Sequence, residues 1–121
     1  MKRTVSIRKN YEFLRIYKKG KFYVGKFIIL YVFNNNTCMN RIGITASKKV
    51  GKSVRRNRIR RLIRENYRAY EDYLKEGFDF VFVARNNEIM PAFSDIKKEM
   101  KFLFKRLGVF NQEKWECSRI L

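Results

Sequence analysis

The sequence has no histidine, and it has only two cysteines, Cys38 and Cys117, among 121 residues. The absence of histidine excludes Ser-His and Cys-His nucleophile pairs and any acid–base catalysis by imidazole. Neither cysteine lies in a C-x-x-C pair, which argues strongly against a zinc site. We expect reduced thiols in an intracellular chain, although the sequence alone leaves a disulfide between the two open.

Long apolar runs are also absent. The longest run, residues 27–33, is far shorter than the 18 or more apolar residues that a membrane-spanning helix needs. The N-terminus continues into charged residues instead of the apolar segment of a secretory signal peptide. We therefore expect a cytoplasmic protein with no membrane partner.

Acidic residues are scarce, since 11 Asp and Glu stand against 29 Lys and Arg, for a net charge of +18. Residues 1–47 and 48–68 each carry a net charge of +9, whereas residues 69–121 carry none. A basic surface kept for solubility would not require such segregation. Charge concentrated in this way predicts a polyanionic partner, because binding to a polyanion releases counterions.

The carboxylates offer little for catalysis. Glu71, Asp72 and Glu76 form the only close set, beside Lys75. Phosphodiester hydrolysis usually needs metal ligands or an acid–base pair. We interpret this set as a solvated helix terminus, so the protein itself offers no visible site for nuclease chemistry.

The chain length and the 45% apolar content indicate one domain with its own core, over residues 1–121. Asn34 to Asn36 read as a turn, so strands 27–33 and 41–47 are expected to pair as an antiparallel hairpin. Ser53 is the expected N-cap of the central helix. This order predicts an α+β fold with helices packed on one sheet. The predicted elements are helix 8–19, short strand 22–24, strands 27–33 and 41–47, helix 53–70, strand 78–84 and a last helix ending before Gly108.

Residues 48–68 give the strongest functional signal, with ten cations among 21 residues. Helical periodicity places Ile59, Leu62 and Ile63 on one face and most of the arginines on the other. Arginine binds phosphate oxygens in pairs, and lysine adds compact charges from the preceding loop. Like charges four residues apart destabilise a helix unless an anion compensates them. The segment therefore predicts a surface for a folded phosphate backbone.

Aromatic rings form a second candidate surface. Phe13 and Tyr17 lie four residues apart on one helical face, and Tyr31 lies in the following strand, with Lys48 and Lys49 at the end of the next strand. Unpaired bases stack on such rings. For any one of these rings, periodicity alone favours packing in the core over stacking.

Residues 47–68 resemble the protein subunit of bacterial ribonuclease P, whose hallmark is a lysine-rich turn followed by an Arg-Asn-Arg helix. The resemblance extends more loosely over nearly the whole chain, through the helix before Lys19 and Gly20 and the strand before Arg85. The residues that match the hallmark are Lys48, Lys49, Gly51, Lys52, Arg55, Arg56, Asn57, Arg58, Arg60, Arg61, Leu62, Ile63 and Arg64.

The resemblance implies an α/β sandwich with a mostly antiparallel four-stranded sheet and three helices, similar to the second domain of small-subunit ribosomal protein five. It implies that the strand–helix–strand unit around the Arg-rich helix makes a left-handed crossover, against the general rule. It also implies two RNA surfaces. The surface for the catalytic RNA comprises Lys49, Lys52, Arg55, Arg56, Asn57, Arg58, Arg60, Arg61, Arg64 and Arg68. The cleft for the single-stranded 5′ leader of precursor tRNA comprises Phe13, Tyr17, Tyr31, Ser47, Lys48, Lys52 and Arg85.

The function implied is that of a subunit without catalytic residues. The RNA subunit would bind Mg²⁺ and cleave precursor tRNA, while the protein raises substrate affinity and favours the compact RNA fold, with no obligate protein partner. Asn57 could bridge phosphate-bound water. The alternative is a structural RNA-binding protein such as a ribosomal component. A membrane-active basic helix is disfavoured, because a sheet needs its apolar face.

Overall fold

The structure, a computed structural model, describes residues 3–120. Five strands and four helices account for most of them. In chain order these are β1 (Thr4–Ser6), α1 (Asn10–Lys19), β2 (Lys21–Val24), β3 (Ile28–Asn34), β4 (Asn40–Thr45), α2 (Ser53–Tyr70), β5 (Phe78–Ala84), α3 (Phe93–Arg106) and α4 (Gln112–Ile120). Short 3₁₀ turns at Lys48–Val50 and Glu71–Tyr73 flank α2.

The strands form one mixed sheet in the order β1-β4-β5-β3-β2. β4 is parallel to both β1 and β5, whereas β3 is antiparallel to β5 and β2 is antiparallel to β3. The α+β class is therefore confirmed, but the expectation of a mostly antiparallel four-stranded sheet with three helices is corrected to a mixed five-stranded sheet with four helices.

The predicted hairpin between the third and fourth strands is wrong, because β5 lies between them. β5 supplies Phe80, Val81 and Phe82, all fully buried. Successive side chains of a strand point to opposite faces, so a strand buried in this way must be covered on both. The backbone of β5 forms hydrogen bonds with β4 on one edge and with β3 on the other. Because β5 takes this central position, β3 and β4 do not pair with each other.

The main core lies on the face covered by α2 and α3, where Ile63, Tyr67, Met100 and Phe104 pack against Phe80 and its neighbours. α1 covers part of the other face, where Ile16 is fully buried with Ile7 and Val81. The two faces of the sheet are thus unequally covered.

β1 and α4 were not predicted. β1 is only three residues long and is held by residues distant in the chain. The Thr4 hydroxyl donates a hydrogen bond to Glu71, and the Tyr67 hydroxyl lies 2.9 Å from Thr4 Oγ1. α4 lacks a strong apolar stripe and is anchored mainly by Trp115, whose ring lies 5.0 Å from that of Tyr73. Ser53 is the first residue of α2 and not its N-cap, which is Lys52.

An ionic network holds α1 on the sheet. Arg41 of β4 donates to both carboxylate oxygens of the fully buried Asp79 at 2.9 and 2.8 Å, and it also pairs with Glu12 of α1. Asn35 donates a further hydrogen bond of 2.8 Å to Asp79. The hydrogen bond to Asp79, followed by that to Glu12, raises the pKa of Arg41 against the opposing effect of burial, so this residue stays cationic. Charge in β4 therefore fixes the start of α1.

Candidate nucleic-acid interface

α2 divides into an apolar face and a cationic face, as its periodicity predicts. Ile59, Ile63, Tyr67 and Tyr70 are buried against the sheet and α3. On the helix and its entry loop, the exposed residues of the predicted RNA-subunit surface are Lys49, Lys52, Asn57, Arg58, Arg61, Arg64 and Arg68. The structure brings these side chains to one helix and the turn before it.

Three further arginines of this surface, Arg55, Arg56 and Arg60, are half-buried and take part in local packing. Arg55 donates to the Asn87 carbonyl in the loop after β5. Arg60 donates to the Ala46 carbonyl at 3.4 Å and to Asn57 Oδ1 at 3.3 Å. These contacts tie the first turns of α2 to the ends of β4 and β5, so the cationic face has a fixed position before any ligand arrives.

The charge of this face is almost uncompensated within the described residues. The ion pair found along α2 joins Arg61 to Glu65 at 3.9 Å, with both side chains well exposed. An exposed pair of this kind contributes little stabilisation. Arginines that repel one another along a helix therefore present a surface that an anion would stabilise.

The predicted rings of the second surface do come together, although they are not adjacent in the chain. The ring centroids of Phe13 and Tyr17 are 6.4 Å apart, and those of Tyr17 and Tyr31 are 4.9 Å apart. All three rings are half-buried, so neither a pure core role nor a fully solvated one describes them. They border the surface between α1 and the ends of β4 and β5, and we call this surface the cleft.

Gly43 allows the closest part of this packing. A Cβ built at Gly43 would lie 2.4 Å from Cε1 of Phe13, a separation that real contacts do not show. The ring of Phe13 therefore lies directly on the backbone of β4. Sequence reasoning missed Gly43, and only its place in an alternating strand opposite the helix could have indicated it.

The floor of the cleft is a row of side chains that α1 covers only in part, since Val83 packs against the cluster under α1. Thr45, Val83, Ile29 and Val24 are paired successively across β4, β5, β3 and β2. The first three are half-buried and Val24 is 45% exposed. Glu12 and Arg15 of α1 contact Arg41 and Phe33, which lie four residues away from this row along β4 and β3. Since Glu12 and Arg15 point to that side of α1, the helical spacing directs Phe13 and Tyr17 toward the floor.

Polar and cationic residues bound the same end of the sheet. Ser47 and Lys48 are exposed just beyond β4, and Arg85 is exposed just beyond β5, which runs parallel to β4. Arg85 donates to the Gly25 carbonyl in the turn between β2 and β3 at 2.7 Å. Lys52 is exposed and is the N-cap of α2. The structure thus brings Ser47, Lys48 and Arg85 to one end of the sheet, while Phe13, Tyr17 and Tyr31 lie nearer its middle.

The acidic set does not match its predicted description fully. Asp72 and Glu76 are exposed, but Glu71 is buried and accepts hydrogen bonds from Thr4 and from the backbone N–H of Arg3. Within residues 3–120, no three Cys, Asp or Glu side chains are grouped so that they could hold a metal ion. Over the same residues, no helix is long and apolar enough to cross a bilayer.

Comparisons with known proteins agree on one family. The family model described as Ribonuclease P matches residues 1–108. The chain is 47% identical over 113 residues to the ribonuclease P protein component of Clostridium novyi, covering 92% of this chain and 100% of that one. It is 45% identical over 106 residues to the component from Clostridium botulinum strain Loch Maree, covering 87% and 96%.

Solved structures give the same answer at the level of the fold. The ribonuclease P protein of Staphylococcus aureus superposes with a TM-score of 0.79 and 34% identity, covering 88% of this chain and 97% of that one. The protein from Thermotoga maritima superposes with a TM-score of 0.74 and 28% identity, covering 84% and 96%.

Proposed function

The chain belongs to the bacterial ribonuclease P protein family and is the protein subunit of this ribonucleoprotein endoribonuclease of tRNA processing, and we propose that its two surfaces bind two different RNAs. The arginine face of α2 would bind the catalytic RNA subunit. The aromatic cleft would bind the 5′ leader of precursor tRNA. Each surface would thus bind one of the two RNAs.

The observation that carries the proposal is the contrast between the surfaces. The α2 face is convex and dense in guanidinium groups, which suits the phosphates of a folded RNA. The cleft combines half-buried rings with an apolar floor and lysine or arginine at one end, which suits unstacked bases of a single strand. Lys52 lies where both RNAs could share it.

The chemistry would remain with the RNA subunit and its Mg²⁺. The carboxylates of the described residues are dispersed or already paired, as Asp79 is with Arg41, so they fit a metal cluster poorly. The protein would contribute affinity for substrate and phosphate neutralisation, which favours the compact, metal-binding form of the RNA. Asn57, exposed beside Arg60, would bridge phosphate-bound water.

Three further expectations complete the proposal. The holoenzyme would act in the cytoplasm without an obligate protein partner. Residues 1–121 would form a single domain. The β4–α2–β5 crossover would be left-handed, as the family resemblance implies.

A series of precursor tRNAs with leaders of increasing length tests the cleft. Holoenzyme assembled with the cognate RNA would bind long-leader substrate about five- to a hundredfold more weakly after Phe13→Ala, since stacking of one base contributes that much. Leaderless substrate would bind unchanged. Phe102→Ala removes an exposed ring from the opposite side of the sheet and serves as the control. Equal loss at every leader length would point instead to a general RNA-organising role.

A further inference from the structure

The row of aromatic rings in the cleft continues beyond the three predicted residues. Phe22 of β2 lies directly opposite Tyr31 of β3 in the strand register, and their ring centroids are 5.2 Å apart with an interplanar angle of 29°. Residues paired in register point to the same face of a sheet. Phe13, Tyr17, Tyr31 and Phe22 therefore follow one another from β4 to β2 across the α1 face.

Phe22 differs from its neighbours in being open to solvent. It is 56% exposed, whereas the other three rings are half-buried. Val24, which ends the cleft floor on the same strand and the same face, is also exposed. A single exposed ring needs no explanation. Here, however, the ring extends an existing row and borders the floor of a cleft.

The charge around β2 indicates the kind of partner. Lys18 and Lys19 end α1 just before β2, and all three residues Lys18, Lys19 and Lys26 are exposed. Arg85 reaches the turn that follows β2 through its hydrogen bond to Gly25. The one acid in residues 1–47, Glu12, is paired with Arg41 and faces away from the cleft floor. The Glu99 carboxylate of α3 also lies at this turn, where it accepts hydrogen bonds from the backbone N–H groups of Lys26, Phe27 and Ile28. Flat rings among a surplus of cations match a single-stranded polyanion whose bases can stack.

We propose that Phe22 is an additional stacking position for a leader nucleotide, at the β2 edge of the cleft. The inference rests on the proposed function of the cleft and extends it. The arginine-rich segment, which would bind the catalytic RNA, follows β4, and β4 lies toward the opposite edge of the sheet from β2. The base on Phe22 would therefore lie farther from the cleavage site than the base on Phe13. Leaders too short to reach β2 would not use it.

The test compares Phe22→Ala with Phe13→Ala in reconstituted holoenzyme, over precursor tRNAs whose leaders lengthen one nucleotide at a time. Phe22→Ala should reduce affinity about five- to a hundredfold, and only above a leader length greater than the one at which Phe13→Ala first has an effect. Phe22→Tyr, which keeps the ring, should bind as the parent does. Phe22→Leu, which keeps apolar bulk without a ring, should show the loss.

A second readout uses a fluorescent base analogue placed at successive leader positions. One distal position should be quenched in the parent complex and released in Phe22→Ala but not in Phe102→Ala, whose ring is 52% exposed on the other face. An unchanged affinity, a loss on leaderless substrate, or full rescue by Phe22→Leu would each overturn the role of Phe22. If Phe13→Ala also proves insensitive to leader length, the leader cleft itself is refuted.

Discussion

Gly43 shows how much the cleft depends on a missing side chain. The Phe13 ring lies against the backbone of β4, and no Cβ fits between them. We expect Gly43→Ala to push this ring outward and to weaken binding of long-leader precursor tRNA nearly as much as Phe13→Ala does, about five- to a hundredfold. Affinity for the RNA subunit, measured by filter binding without substrate, should not change. A leader affinity equal to that of the parent would contradict this packing.

Asp79 is the residue on which the ionic network depends. It is fully buried and receives both Arg41 and Asn35. We expect Asp79→Asn to lower the free energy of unfolding by about 3 kcal/mol or more, because it leaves Arg41 without its buried counter-charge. Glu65→Gln, in the exposed pair with Arg61, should cost less than about 1 kcal/mol. Urea unfolding of both variants at neutral pH measures the difference.

Tyr67 couples the fold to alkaline pH. Burial raises the pKa of its phenol well above the ordinary value, and the nearby Glu71 carboxylate adds to the shift. The unfolded chain therefore loses this proton from about pH 10, while the folded chain retains it, so stability falls as the pH rises above that value. Tyr67→Phe should cost about 1 kcal/mol near pH 7 and should flatten the decline between pH 9 and 11. Urea unfolding at several pH values across this range measures the difference. If the free energy of unfolding fell equally in the parent and in Tyr67→Phe, the interpretation would be wrong.

At the scale of elements, the sequence predicted what is decided locally. The boundaries of α2 and its two faces follow from its periodicity, and β5 was located by its run of apolar and aromatic residues. The pairing of strands was not predictable in the same way. Whether β3 joins β4 or β5 depends on which arrangement buries both faces of β5, and that is a property of the whole sheet. β1 and α4 likewise depend on distant contacts with Glu71 and Tyr73.

The candidate site likewise contains a part that local sequence predicted and a part that it did not. The cations of α2 were identified because ten of them follow one another along 21 residues. The rings of Phe13, Tyr17 and Tyr31 required the resemblance, since periodicity alone favoured a place in the core. The floor of the cleft needed the register of four strands, which no local pattern contains.

The cationic face of α2 should reveal itself through salt dependence. Arg64 is exposed on this face. We expect Arg64→Gln to reduce the slope of log K against log salt concentration, for the RNA subunit, by about 0.7 to 0.9. Lys98→Gln, an equal change of charge on exposed α3, should leave the slope unaltered. Identical slopes for the parent and both variants would show that Arg64 does not contact the RNA.

At the scale of the whole molecule, the dominant fact is a charge of +18 that the chain does not neutralise itself. Mutual repulsion destabilises the compact state, so anions that bind the folded form should stabilise it. We expect pyrophosphate at about a hundred times its Kd to raise the Tm of the free protein by on the order of 10 °C. Sodium chloride of equal ionic strength, which only screens, should raise it much less in a parallel thermal melt.

The central place of β5 has a consequence for biosynthesis. The arginine face and most of the cleft come from earlier parts of the chain, yet β3 and β4 are joined through Phe78–Ala84, which also supplies Val83 to the cleft floor. A nascent chain that has just exposed α2 outside the ribosome therefore has its arginines but no sheet on which to arrange them. Residues 69–121, whose net charge is zero, supply this closing strand, so we expect the polypeptide to become competent to bind RNA only after β5 has been synthesised.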